Sequence, residues 1–158
     1  MHYICIEKLI IMPRPKNNRI VHEPPLYTDF KPVGVRGPEL KRIDLTLDEF
    51  EAFRLADQLN LSHAEAAEEM EISRSTFSRL IEEARSKIAD FIINGKMLSI
   101  SGGKVHFRTN TIKCKSCGHM FNIAIGKNIS ECPACHSKNI LNLAGGFGHG
   151  RCCTRGKF

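Results

Sequence analysis

The hydrophobic pattern changes its period along the chain. From residue 44 it is helical: Leu47, Phe50 and Phe53 recur three apart, behind Thr46 and Glu49 in capping-box spacing. Asn60 suits the exit of that first helix. Ser62 and Glu65 form a second capping box and open a short helix, "HAEAAEEM", in which Ala64, Ala66 and Ala67 permit close packing. Ser73 caps a third, long helix, with Phe77, Leu80, Ile81, Ala84, Ile88 and Phe91 on one face. Asn94-Gly95 ends it with a left-handed stop. Beyond this point the period drops to two. "KMLSI" and "KVHF" flank Gly102-Gly103, which predicts a β-hairpin of two short strands.

These elements predict a mainly α fold with a helix-turn-helix domain, a short β-hairpin and a small C-terminal ribbon. Residues 1–43 hold six of the seven prolines and little periodicity, and read as a basic, proline-rich arm. Residues 44–95 are the helical domain, 96–110 the hairpin and linker, and 111–141 a segment of paired cysteine motifs. Residues 142–158, "NLAGGFGHGRCCTRGKF", form a glycine-rich basic tail, expected to be mobile.

Charge sharpens this division. Residues 1–43 carry eight Lys/Arg against four Asp/Glu, residues 44–95 five against twelve, and residues 96–158 ten against one. Basic flanks around an acidic middle suit a polyanionic partner. Arg14, Lys16 and Arg19 could lie along phosphates or in a groove. Hydrophobic residues make up 42% of the chain, so a packed core is expected. No apolar run approaches the ~18 residues of a spanning helix, and no membrane association is expected. Seven cysteines in a chain without a signal-peptide pattern suggest the cytoplasm, with metal binding rather than disulfides.

The corner "EEMEISRSTFSR" (68–79) is the first candidate site. Ala67 sits four residues before Glu71, where two crossing helices need a small side chain. Ser75, Ser78, Arg79 and Glu82 point away from the apolar face, and Arg74 lies at the helix start. No acidic residue occurs between Ile72 and Ile81, although the domain is acidic. A groove-reading helix requires such a window. Ser75, Ser78 and Arg79 are the candidate base readers; Ser73, Arg74 and Thr76 are placed to hold phosphate at the helix N-terminus. Glu71 stands where such corners usually carry glycine. A left-handed glutamate there costs about 1–2 kcal/mol, which caps worth about 1 kcal/mol each offset.

The run from "LTLDEFEAFRLADQLN" through "AAEEMEISRSTFSRLIEEARSKIADF" to "LSISGG", with "MPRPK" at Met12 and "FKPVG" at Phe30, resembles the uncharacterised protein family 0251, also called domain of unknown function 134. The resemblance covers about residues 12–107. It implies a small prokaryotic protein with a domain similar to region four of sigma factors, for which DNA binding is inferred. Two departures stand out. Glu71 replaces a common glycine, and residues 1–11 precede the usual start of the family, which implies that translation begins at Met12.

The second candidate is a metal site. "CKSCG" and "CPAC" place Cys114, Cys117, Cys132 and Cys135 in two Cys-x-x-Cys units separated by fourteen residues. A two-residue gap turns both thiolates of a unit toward one ion, and four thiolates describe a closed tetrahedral site. One structural zinc ion is expected, with iron as the alternative; redox disulfides rank behind both. Phe121, Ile123 and Ile125 alternate as a ribbon strand would. Lys104, Arg108, Lys113, Lys115 and Lys127 around the motif favour a polyanion, while His119 and His136 are surplus to a complete ligand set.

No nucleophile elbow, zinc-protease motif or P-loop occurs, and the pairs Asp48/Glu49 and Glu82/Glu83 read as solvated helix faces. The expectation is not an enzyme but a DNA-binding transcriptional regulator, acting on double-stranded DNA, with transcription machinery as a further partner and a homodimer as one open state. The alternatives are an adaptor that binds protein or RNA beside the transcription machinery, and a metal or redox sensor using Cys152 and Cys153 with His149.

Overall fold

The computed structural model describes residues 18–124 and 127–147. In chain order, the described residues form β1 (Arg19–Val21), β2 (Asp29–Phe30), β3 (Arg42–Leu45), α1 (Leu47–Phe53), α2 (His63–Glu69), α3 (Arg74–Ile93), β4 (Met97–Ile100), β5 (Val105–Phe107), β6 (Thr109–Cys114), β7 (Met120–Ala124) and β8 (Ile140–Asn142). The fold is α/β. The expected mainly α class is wrong, because three helices are set among three small sheets.

The helices begin where their caps put them. Glu49 Oε2 accepts from the backbone N–H of Thr46 at 2.8 Å. Glu65 Oε2 does the same for Ser62 at 2.9 Å, and Ser73 Oγ accepts from the Thr76 N–H at 3.2 Å. α1 continues as a π-helical segment, Arg54–Gln58, and left-handed Asn60 ends it. Gly95, with φ of 57°, closes α3. The apolar faces meet in one cluster of Ala52, Leu55, Ala66, Ala67, Met70, Phe77, Leu80 and Ile81. Phe77 has no exposed surface, and burying such a ring contributes about 1.5–3 kcal/mol. Half-buried Ile88 and Phe91 carry the α3 stripe outward.

The predicted hairpin does not form. β4 is the centre of a three-stranded sheet, antiparallel to β2 and parallel to β3. β5 pairs in parallel with β1, Arg19 opposite Val105 and Val21 opposite Phe107. The reason is burial on both sides. Leu98, Ser99 and Ile100 are all buried, which suits a central strand of a covered sheet better than half of an isolated hairpin. Gly102 and Gly103 do turn the chain, with φ of 75° and 91°. A Cβ on Gly103 would come within 3.0 Å of Asp48 Oδ1, so the turn packs against α1 and delivers β5 to β1 instead of back onto β4.

The arm is therefore partly built into the sheets through β1 and β2. Arg14, Lys16, Cys5, residues 1–11 and the Cys152/Cys153 pair with His149 lie outside the described residues. The start of the expected mobile tail is also structured: Ala144 is buried with Val21, Leu45, Leu98 and Phe107, and Phe147 packs 6.0 Å from the Phe107 ring.

Asp48 and Glu49 are not solvated; both are buried, as is Glu51. Arg19 pairs with Asp48, and Lys87 donates to both Glu49 oxygens at 2.7 Å. Arg54 forks onto Glu51 at 2.7 and 2.8 Å. The partners of Asp48 and Glu49 lie about thirty or more residues away in sequence, which is why the sequence pattern alone misplaces them. Glu82 and Glu83 are exposed as expected.

Candidate functional site

At the corner, α2 and α3 are joined by four residues, and Glu71 holds φ of 54°. The left-handed turn expected at Glu71 is present. The Ile72 N–H donates to the Ala67 carbonyl at 3.0 Å and closes the turn, while buried Ala67 lets the two helices cross. Three further groups hold the corner from outside. The Ile20 N–H donates to the Met70 carbonyl at 3.2 Å. Arg108, just before β6, donates to Glu69 Oε2 at 3.1 Å, beside a His22 Nε2 contact of 2.9 Å.

The six candidate DNA residues fall together on the first turns of α3. Ser73, Arg74, Ser75 and Arg79 are exposed; Thr76 and Ser78 are half-buried. The Ser73 hydroxyl meets Ser75 Oγ at 3.1 Å and Thr76 Oγ1 at 2.7 Å, so these three form one polar cap. Arg74 and Arg79 have no ion-pair partner among the described residues. One of the other candidate cations has been spent. Arg19 is paired with Asp48, so it is not available as a phosphate contact. His63, which the sequence pattern did not single out, places Nδ1 3.0 Å from Ser78 Oγ. Its only sequence signal is its place directly after the Ser62 cap.

The four cysteines also come together. Cys114 Sγ lies 3.6 Å from Cys135 Sγ, Cys117 Sγ 3.8 Å from Cys132 Sγ, and all four sulfurs lie within 4.8 Å of one another. A tetrahedral ion with metal–sulfur bonds of about 2.3 Å needs sulfurs about 3.8 Å apart, so the set could hold a metal ion. Two matching turns build it. The Cys114 N–H donates to the His119 carbonyl at 2.8 Å, and the Gly118 N–H to the Cys114 carbonyl at 3.0 Å. The Cys132 N–H donates to the Ser137 carbonyl at 2.9 Å, and the His136 N–H to the Cys132 carbonyl at 2.8 Å. Gly118 has φ of 76° and His136 has 57°, so a histidine takes the glycine position in the second turn. That explains His136 without making it a ligand.

The sulfurs differ in acidity. The Cys117 backbone N–H, aided by that of Ser116, draws the Cys114 thiol down to about 6 against the opposing effect of burial. For Cys135 the Ser137 N–H favours the thiolate, but the thiols of Cys117, Cys114 and Cys132 together with burial push it up to about 12. Four thiolates in one cluster repel, and a cation among them removes that repulsion. β6, β7 and β8 form the antiparallel sheet that carries the cluster, with β6 in the centre. Of the basic residues around it, Arg108 is tied to Glu69 and Lys113 lies 4.9 Å over the Tyr27 ring. Lys104, Lys115 and Lys127 are exposed.

Together these define a class: an α/β protein with a capped helical corner at one place and a four-cysteine, metal-capable cluster at another. The chain belongs to the family described as "Protein of unknown function DUF134", whose pattern matches residues 10–108. It is 45% identical over 143 residues to a UPF0251 protein of Chloroherpeton thalassium, covering 89% of this chain and 95% of that one. A UPF0251 protein of Chlorobaculum tepidum is 39% identical, covering 89% of this chain and 74% of its own length. One from Moorella thermoacetica is 40% identical, with 93% and 97% covered. No solved structure matches the chain. The family resemblance read from the sequence is thus correct. No helix among the described residues is long and apolar enough to cross a membrane.

Proposed function

We propose that this protein binds double-stranded DNA through the N-terminal half of α3 and regulates transcription, with one structural zinc ion in the cysteine cluster. The observation that carries the reading is the combination of Arg74 and Arg79, without an ion-pair partner among the described residues, with a capped helix start and no acidic side chain between Ile72 and Ile81. Arg74 and the Ser73–Thr76 cap neutralise phosphate, and Arg79, Ser75 and Ser78 address base edges in a major groove. Four thiolates with no spare ligand suit zinc in a closed site, and a reducing cytoplasm keeps them available.

Binding of random and selected duplexes tests this. Affinity should fall steeply between 50 and 200 mM salt. Arg79→Ala should cost about 1–3 kcal/mol on the preferred sequence and less on random DNA. Equal loss on both removes Arg79 from base reading. Native mass spectrometry of the purified protein should show one zinc; a coloured, iron-bearing product would replace that assignment.

A second reading is a protein-binding adaptor. Leu26, Tyr27, Phe30 and Met120 remain exposed around a cleft of about 590 Å³ between the arm, α1 and β7, with Tyr27 61% exposed. Failure to bind any duplex at 50 mM salt would favour it.

A further inference from the structure

Ser78 is a half-buried serine inside α3, where a hydroxyl commonly returns to the carbonyl four residues back. Here its partner is a ring nitrogen from another helix. His63 is the first residue of α2, and its Nδ1 lies 3.0 Å from Ser78 Oγ. The imidazole is itself held, edge-on, against the buried ring of Phe77 at 5.4 Å and 65°. A packed ring thus reaches across the corner and fixes a hydroxyl on the reading face.

We propose that His63 is a positioning residue that sets the hydrogen-bond polarity of Ser78 toward DNA. This rests on the reading that α3 contacts duplex DNA. A serine hydroxyl can donate once and accept twice. If His63 Nδ1 carries the proton, it donates to Ser78 Oγ, and the Ser78 O–H points at acceptor edges such as a purine N7. If Nδ1 is bare, it accepts the Ser78 O–H, and Ser78 offers only lone pairs to amino groups of adenine or cytosine. Either way one bonding direction of the hydroxyl is taken by the ring, and Ser78 is biased toward one class of base edge at one position. Without His63 the hydroxyl is released to rotate or to return to the Arg74 carbonyl, and the direction that His63 imposes is lost.

The test is selection from a random duplex library with full-length protein. Ser78→Ala identifies the base-pair position that Ser78 reads. His63→Phe keeps a ring against Phe77 and removes the nitrogen. It should relax preference at that same position by about five-fold, the worth of one hydrogen bond, and leave the others unchanged. The double variant should lose no more than either single one. His63→Asn, whose amide lies where Nδ1 does, should restore the preference and covers the case in which His63→Phe fails to fold. An unchanged profile for His63→Phe, a loss spread evenly over all positions, or a relaxed profile for His63→Asn overturns the proposal. If Arg79→Ala and Ser78→Ala both leave DNA binding untouched, the underlying reading of α3 fails and this inference falls with it. If they act and His63→Phe does not, only the role of His63 is refuted.

Discussion

Glu71 illustrates what one residue can reveal. Its φ of 54° lies in the left-handed region, which disfavours a side chain with a Cβ. Its contact with Arg108 is long, 3.9 Å, and exposed, so it offsets little of the strain. Glu71→Gly relieves about 1–2 kcal/mol of strain, of which the extra freedom of an unfolded glycine takes back about 0.5–1 kcal/mol. The melting temperature should rise by about 2–4 °C in thermal denaturation; an unchanged or lower value would contradict the strain. This position was legible from sequence because caps on both sides fix the register of the turn. His136, left-handed in the second cysteine turn, was not legible, because a histidine there gives no sign that it fills a glycine's place. Buried Asp48 and Glu49 were misread for a related reason: a carboxylate looks solvated until its cation is found.

At the scale of elements, the helices were legible and the strand pairing was not. A helix makes its bonds within itself, so caps and a 3.6-residue period specify it locally. The α2 cap gives a pH test. Ser62, through its hydroxyl and its backbone N–H, holds the Glu65 carboxyl below its ordinary 4.5. A depressed acid contributes stability that is present above the unfolded value and lost as pH falls through the folded one. NMR titration should therefore find Glu65 protonating below 4.5, and Ser62→Ala should move it back toward that value. A Glu65 that titrates identically in both proteins would show that the cap does not act on it. Strands differ because their bonds go elsewhere. β4 and β5 carry the right period for a hairpin, yet each pairs with a strand distant in the chain.

For the molecule as a whole, the cysteine sheet is the least self-sufficient part. Among the described residues from β6 to β8 the buried apolar side chains are Ile112, Cys114 and Cys132, too few for an independent core. An ion bound as proposed would then supply most of its folding free energy, on the order of 10–16 kcal/mol in comparable zinc peptides. Chelation at neutral pH should remove amide protection from β6, β7 and β8 in hydrogen exchange while α3 amides stay protected by their own core. A sheet that remains protected after metal removal would show that its fold does not depend on the ion. Arg108 and Thr109 join the start of this sheet to the corner, since Thr109 Oγ1 donates to the His22 carbonyl at 2.9 Å and Arg108 holds Glu69.

The sequence by itself determined three helices with their caps, the left-handed turn between α2 and α3, the non-acidic window at the start of α3 and the four-cysteine set. All of these depend on residues close in the chain, or on a spacing that chemistry makes specific. Only the tertiary structure decided the α/β class, the partners of β4 and β5, the burial of the α1 carboxylates, the ordered start of the tail and the reach of His63 to Ser78. Those are contacts between distant residues, chosen by which pairing buries the most apolar surface and neutralises the most buried charge. Local periodicity does not carry that information.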